Sequence, residues 1–173
     1  MIRTIVVYGA IAGFITIGVM IATIVLMGGH GSMILGYLEM LIAFSMIFVG
    51  VKRYRDTVCG GVVKFGPALL VGLGIAGVAG VAYVIGWEIY LAATHYTFMD
   101  QYAAAYIAGK RSVGVTGAAL AAEIAKMDEM KAQYANPLYR LPMTFMEIVP
   151  VGLLVALASA GLLRNPRLLP ARA

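Results

Sequence analysis

Val84-Ile85-Gly86-Trp87-Glu88-Ile89-Tyr90-Leu91-Ala92-Ala93-Thr94-His95-Tyr96 closes a long apolar run and brings a glutamate, a tryptophan, two tyrosines and a histidine to the point where that run meets water. The run opens at Pro67, and proline is tolerated in the first turn of a helix. From there to Ala93 it exceeds the roughly 20 apolar residues that carry a helix across a bilayer. Its many glycines suit membrane helices, which pack closely through small residues. Residues 67–93 therefore read as a transmembrane helix, and the aromatic residues at its end as anchors at the membrane–water interface.

Three other runs have the same character. Residues 5–27 form an unbroken apolar and small-residue stretch, longer than the roughly 7–15 residues of a signal-peptide core and without a small-x-small cleavage site after it, so the expectation is a retained anchor. Residues 33–51 follow the tight turn Gly28-Gly29-His30-Gly31-Ser32, and residues 142–163 close the series. Between the second and third spans lies a short basic loop, 52–66. Between the third and fourth lies a hydrophilic segment, 94–141. The fold class is an all-α integral membrane protein, a single domain with four transmembrane helices.

Composition agrees. Of 173 residues, 62% are apolar and 12% charged, about half the charge that a water-facing surface needs. The formal net charge of +5 does not indicate nucleic acid, because the basic residues cluster beside apolar runs, where anionic lipid headgroups recruit them. Arg3, Lys52, Arg53, Arg55, Lys64, Arg164, Arg167 and Arg172 fall on one side of the membrane. The basic residues of 94–141 are diluted by Asp100, Glu123, Asp128 and Glu129. Both termini are thus expected in the cytoplasm, and Lys52, Arg53, Arg55 and Lys64 are the expected headgroup contacts. Cys59, the single cysteine, excludes an internal disulfide.

The segment 94–141 predicts an extracytoplasmic helical hairpin lying over the outer mouth of the spans. Phe98, Tyr102 and Tyr106 recur every four residues, Gly109 to Gly114 reads as a break, and Thr116 is placed to cap a second helix with Leu120, Ile124, Met127 and Tyr134 on one face. Glu123 with Lys126 and Asp128 with Lys131 are favourable pairs on its wet face. Asn136-Pro137 ends it.

Chemistry is concentrated in three glutamates. Glu39 and Glu88 lie six residues, and Glu147 five, from the outer ends of their spans, about 8–9 Å at 1.5 Å per residue. Eleven residues further in, each has a small residue on nearly the same line, Gly50, Gly77 and Ala158, which predicts that the carboxylates face the bundle. A carboxylate in hydrocarbon costs several kcal/mol and normally has partners. The plain reading pairs each with a hydroxyl on a neighbouring span. The functional reading is a proton- or cation-handling cluster, since three close carboxylates resist ionising together. A metal site with His30 and His95 is a further reading, although the Glu-x-x-His signature of bundle di-metal proteins is absent; each histidine alone is an interfacial hydrogen-bonder.

Gly72-Leu73-Gly74-Ile75-Ala76-Gly77 matches G-x-G-x-x-G by letter, but it lies inside a span and lacks the strand, exposed helix start and later acid of a dinucleotide site. Helix packing accounts for it, together with the ladders Gly72, Ala76, Gly80; Gly9, Gly13; and Gly152, Ala156, Ala160. Some of these faces pack within the chain and one is available for a homo- or hetero-oligomer. Cys59-Gly60-Gly61 is no P-loop, and neither a nucleophile elbow nor H-E-x-x-H occurs. No enzyme activity and no cofactor are expected.

Gly36-Tyr37, Ala43 to Lys52, Tyr54-Arg55-Asp56, Phe98-Met99-Asp100 with Tyr102, Asn136-Pro137-Leu138, and Thr144 to Gly152 together resemble a family of small bacterial four-span membrane proteins catalogued only as a domain of unknown function. The resemblance covers nearly the whole chain. It implies the bacterial inner membrane and the topology above, and brings no activity or ligand. The functional expectation is a non-enzymatic accessory or interaction subunit; the alternatives are a small proton- or cation-coupled transporter or channel using the three glutamates, or a membrane metalloenzyme.

Overall fold

The computed structural model describes residues 1–26 and 33–171, with backbone alone for 33–35. It is all-helical among those residues: α1 (Ile2–Leu26), α2 (Met33–Val58), α3 (Phe65–Ala93), α4 (Phe98–Ser112), α5 (Gly117–Ala135) and α6 (Pro137–Leu163). Helices α1, α3 and α6 are each long and apolar enough to cross a membrane. Two compact units form, Met1–Gly86 with Phe145–Ala173, and Trp87–Thr144.

Helix ends differ from the sequence expectation in several places. α3 starts at Phe65, two residues before Pro67. α4 runs through Gly109 to Ser112, so the expected break narrows to the residues after it, where Thr116 takes the N-cap position of α5 without a side-chain hydrogen bond. The two larger differences are in α2 and α6. α2 continues through Lys52-Arg53-Tyr54-Arg55-Asp56 to Val58, so the basic residues expected in a loop are the last turns of a helix. Lys, Arg and Tyr have no strong bias against helix, and the chain turns only at Gly60 and Gly61, whose positive φ values of 63° and 89° suit glycine. α6 starts at Pro137 rather than Pro142, because Asn136 is extended and Pro137 takes the first helical position, where its missing N–H costs nothing.

In the first unit, small residues let the helices approach. A Cβ on Gly9 would lie 2.5 Å from Val78 Cβ, one on Gly13 2.6 Å from Ala82 Cβ, one on Gly74 2.8 Å from Ile5 Cδ1, and one on Gly86 2.6 Å from Ile17 Cγ1. The pairs 5/74, 9/78, 13/82 and 17/86 advance together, so α1 and α3 run parallel, with a glycine facing a larger side chain at each level. Against α6 the order reverses. Gly72 meets Ala156, Ala76 meets Gly152 and Gly80 meets Phe145, so α3 and α6 are antiparallel. The ladders read from the sequence are thus used inside the chain.

Around these contacts Phe44, Ile47, Val51, Val71, Ile75, Ala79, Ala156 and Leu163 are fully buried. The outside is apolar too: Val6, Ile11 and Phe14 on α1, Leu70, Val81 and Ile85 on α3, and Leu154 and Leu162 on α6 are all exposed. At about 25 cal/mol per Å² such surface would be driven out of water, and patches this extensive mark contact with lipid or protein. This is the surface of a membrane protein.

The second unit begins with the last turns of α3. His95 and Tyr96 have φ of 52° and 57°, and the Tyr96 N–H donates to Leu91 O at 2.7 Å, the return bond of a Schellman-type helix end. Left-handed backbone at non-glycine residues costs about 1–2 kcal/mol each. α4 and α5 then run antiparallel, since Lys131 pairs with Asp100 and Lys110 with Glu123. The direct ion pairs are these cross-helix ones, while the expected partners, Lys126 for Glu123 and Asp128 for Lys131, attract at longer range in the expected sense. The period-four aromatic residues form a line: Trp87 meets Phe98 edge-on at 4.8 Å, Phe98 stacks on Tyr102 at 6.3 Å, and Tyr102 on Tyr106 at 6.5 Å.

Candidate functional site

The densest polar centre lies in the second unit and joins three helices. Arg140, in the first turn of α6 and 4% exposed, donates from Nε to Glu88 Oε1 at 2.7 Å and from Nη2 to Glu88 Oε2 at 2.8 Å. Its Nη1 donates to Tyr134 O at 3.0 Å and lies 3.5 Å from Ala135 O. Those carbonyls belong to the last turn of α5, which has no following turn to bond them, and a cation there also meets the negative end of the helix dipole. The guanidinium lies over the rings of Tyr96 and Tyr134, at 5.3 and 5.7 Å from their centroids. Trp87 Nε1 donates to Tyr134 Oη at 2.6 Å. The left-handed turn at His95-Tyr96 is what carries the chain back so that Tyr96 reaches Arg140.

Arg140 was not singled out by its sequence context. The available signal was Asn136-Pro137: read as the start of a helix, it places Arg140 in a first turn between Leu138 and Leu141, an unusual setting for an unpaired cation.

The other two glutamates belong to the first unit, and each has its own partner. Thr23 Oγ1 donates to Glu39 Oε1 at 2.6 Å, linking α1 to α2. The Tyr83 hydroxyl lies 2.9 Å from Met20 Sδ and 3.5 Å from Glu147 Oε2. Glu147 is exposed on α6 beside exposed Met143, Met146 and Pro150. The expected inward line of small residues fails for the same reason: a Cβ on Gly77 would meet nothing within 4 Å, and Ala158 is exposed. Gly50 alone packs, against Ile75 and Tyr8. Abundant glycine and alanine made that spacing uninformative.

His95 is exposed, and His30 lies outside the described residues. Among the described residues no group of three His, Cys, Asp or Glu side chains is placed to hold a metal ion.

The basic end of α2 holds a second buried cation. Arg55 is 0% exposed; its Nε donates to Asp56 Oδ1 at 2.7 Å, its Nη1 to Leu168 O at 2.8 Å, and its Nη2 to Leu169 O. Expected as a headgroup contact, it is instead enclosed by the 168–169 segment, because that segment's carbonyls take up its donors. Lys52 pairs with Asp56 one turn away, while Arg53 and Lys64 are exposed.

On α4 and α5 the electrostatics are ordinary and favourable. A hydrogen bond from Lys110, with another from Tyr106 at 3.0 Å, holds the Glu123 carboxyl below its usual range, and Glu123 in turn raises the Lys110 ammonium.

Residues 7–165 match the family model described as a protein of unknown function (DUF4199). No curated protein matches the chain, and no solved structure does.

Proposed function

From the premise that the chain belongs to this family, protein of unknown function (DUF4199), we propose that it is a non-enzymatic accessory or interaction subunit of the bacterial inner membrane, with four spans and cytoplasmic termini. Exposure of Glu147 on α6 carries the reading. An exposed carboxylate on an apolar helix costs several kcal/mol in hydrocarbon unless another polar group meets it. Among the described residues its hydrogen-bonding contact is the Tyr83 hydroxyl at 3.5 Å, at the outer limit of a hydrogen bond. A donor on a second transmembrane helix would complete it. The remaining carboxylates support the same reading, since Glu88 is bound by Arg140 and Glu39 by Thr23.

The test is the size of the complex in mild detergent after in-membrane cross-linking. A species larger than the monomer is expected for the unaltered protein and is expected to vanish for Glu147→Leu. Monomer in both would overturn the reading. Liposome flux decides the rival: proton or cation flux abolished by replacing Glu39, Glu88 and Glu147 together with glutamine would establish a transporter or channel instead.

A further inference from the structure

Beside the basic end of α2 the first unit has a cavity of about 480 Å³, lined by Arg3, Thr4, Val7 and Tyr8 of α1 and by Arg53 and Val58 of α2, among others. Its two arginines differ from Lys52 and Arg55 of α2. Arg55 and Lys52 are tied to Asp56, but neither Arg3 nor Arg53 has a carboxylate partner among the described residues. Two guanidinium groups without carboxylates on one cavity give it a positive charge that an anion would neutralise. Guanidinium matches phosphate oxygens in a planar, two-pronged geometry. The cavity also lies at the N-terminal end of a 25-residue helix, the positive end of its dipole.

Beside the arginines and the hydroxyl-bearing Thr4, Tyr8 and Thr57, the lining has an apolar side formed by Met1, Val7 and Val58, and that side continues. Val7 and Val58 are exposed, as are Ile11 and Phe14 further along α1 and Val49 along α2. A free phosphate would leave that surface unused. We propose that this cavity is a binding site for the headgroup of one anionic phospholipid, whose phosphate bridges Arg3 and Arg53 while its acyl chains lie along the exposed faces of α1 and α2. The site rests on the membrane reading above and adds to it a defined place and ligand class.

Native mass spectrometry of the full chain released from nanodiscs of equal phosphatidylglycerol and phosphatidylcholine tests the proposal. Membrane extraction of the same preparation checks the parent reading separately: a chain recovered without detergent would fail there, before any lipid question arises. One phosphatidylglycerol is expected to stay bound in preference to phosphatidylcholine. Arg3→Gln with Arg53→Gln is expected to lower its retention on the order of tenfold, from the loss of two cation–headgroup attractions. Arg164→Gln with Arg167→Gln, at two exposed residues outside the lining, removes the same charge elsewhere and is expected to leave retention unchanged. Thr57→Phe, at another lining residue, narrows the cavity without changing charge and is expected to reduce retention, which separates the site from bulk electrostatics. Equal loss in both double variants, or no preference for phosphatidylglycerol, would overturn the site. Displacement of the lipid by millimolar glycerol phosphate would assign the cavity to a soluble phosphate and overturn the lipid assignment.

Discussion

Arg140 grips Glu88 with two parallel hydrogen bonds, Nε to Oε1 at 2.7 Å and Nη2 to Oε2 at 2.8 Å, and uses its remaining nitrogen to close the end of α5. One side chain thus joins the end of α3, the end of α5 and the start of α6. Arg140 is buried and Glu88 partly so, at 26% side-chain exposure; breaking such a pair from one side leaves the partner charged and unbonded, at the lower end of the cost for a buried pair. Arg140→Leu is therefore expected to destabilise the second unit by about 3 kcal/mol, read as a lower thermal midpoint in detergent. Arg140→Lys keeps the charge but loses the two-pronged grip and the α5 carbonyls, and is expected to recover only part of the loss.

Gly13 is expected to be far less replaceable than Gly18 on the same helix. A Cβ there would lie 2.6 Å from Ala82 Cβ and 2.8 Å from the backbone oxygen of Ala79, which cannot move aside. Gly13→Val should cost about 1–3 kcal/mol by overpacking. Gly18→Ala, where a Cβ meets nothing within 4 Å, should be neutral or stabilising by up to about 1 kcal/mol through helix propensity. Thermal unfolding of the two variants side by side checks the contrast.

Arg55 ties the 168–169 segment to α2. Arg55→Met keeps much of the side-chain volume and removes those bonds, so trypsin should cut after Arg167 several-fold faster, with the helical circular dichroism unchanged. An unchanged cleavage rate would show that other contacts hold the segment.

The α4–α5 pair carries a pH dependence of calculable sign. The Glu123 carboxyl titrates below its ordinary value because Lys110 and Tyr106 hydrogen-bond its charged form. A group with a lowered folded value contributes stability above its unfolded pKa and loses it as pH falls through the folded one. Lys110, raised, contributes below its ordinary value and loses that contribution as pH rises through the raised one. Tyrosine near-ultraviolet dichroism should hold a plateau at neutral pH and fall in acid, and Glu123→Gln should remove the acid-side step that belongs to this pair.

The opening stretch shows how far residues alone reach. The apolar length from Pro67 onward determines a helix able to span a bilayer, because hydrocarbon leaves backbone groups no partner except those of their own helix. The period of Phe98, Tyr102 and Tyr106 likewise determines that α4 shows one aromatic face, and the small-residue ladders determine that helices approach there. Those are properties of length and spacing, which the order of residues contains. Partners are not. Glu88, Glu39 and Glu147 sit at similar places in their runs, yet one meets Arg140, one Thr23 and one the Tyr83 hydroxyl from an exposed position. Which way each carboxylate turns depends on helix rotation and on a turn at His95-Tyr96 that local propensity disfavours. Only the tertiary structure decides that, because the energy that holds it comes from groups 52 residues apart in the chain for Glu88 and Arg140.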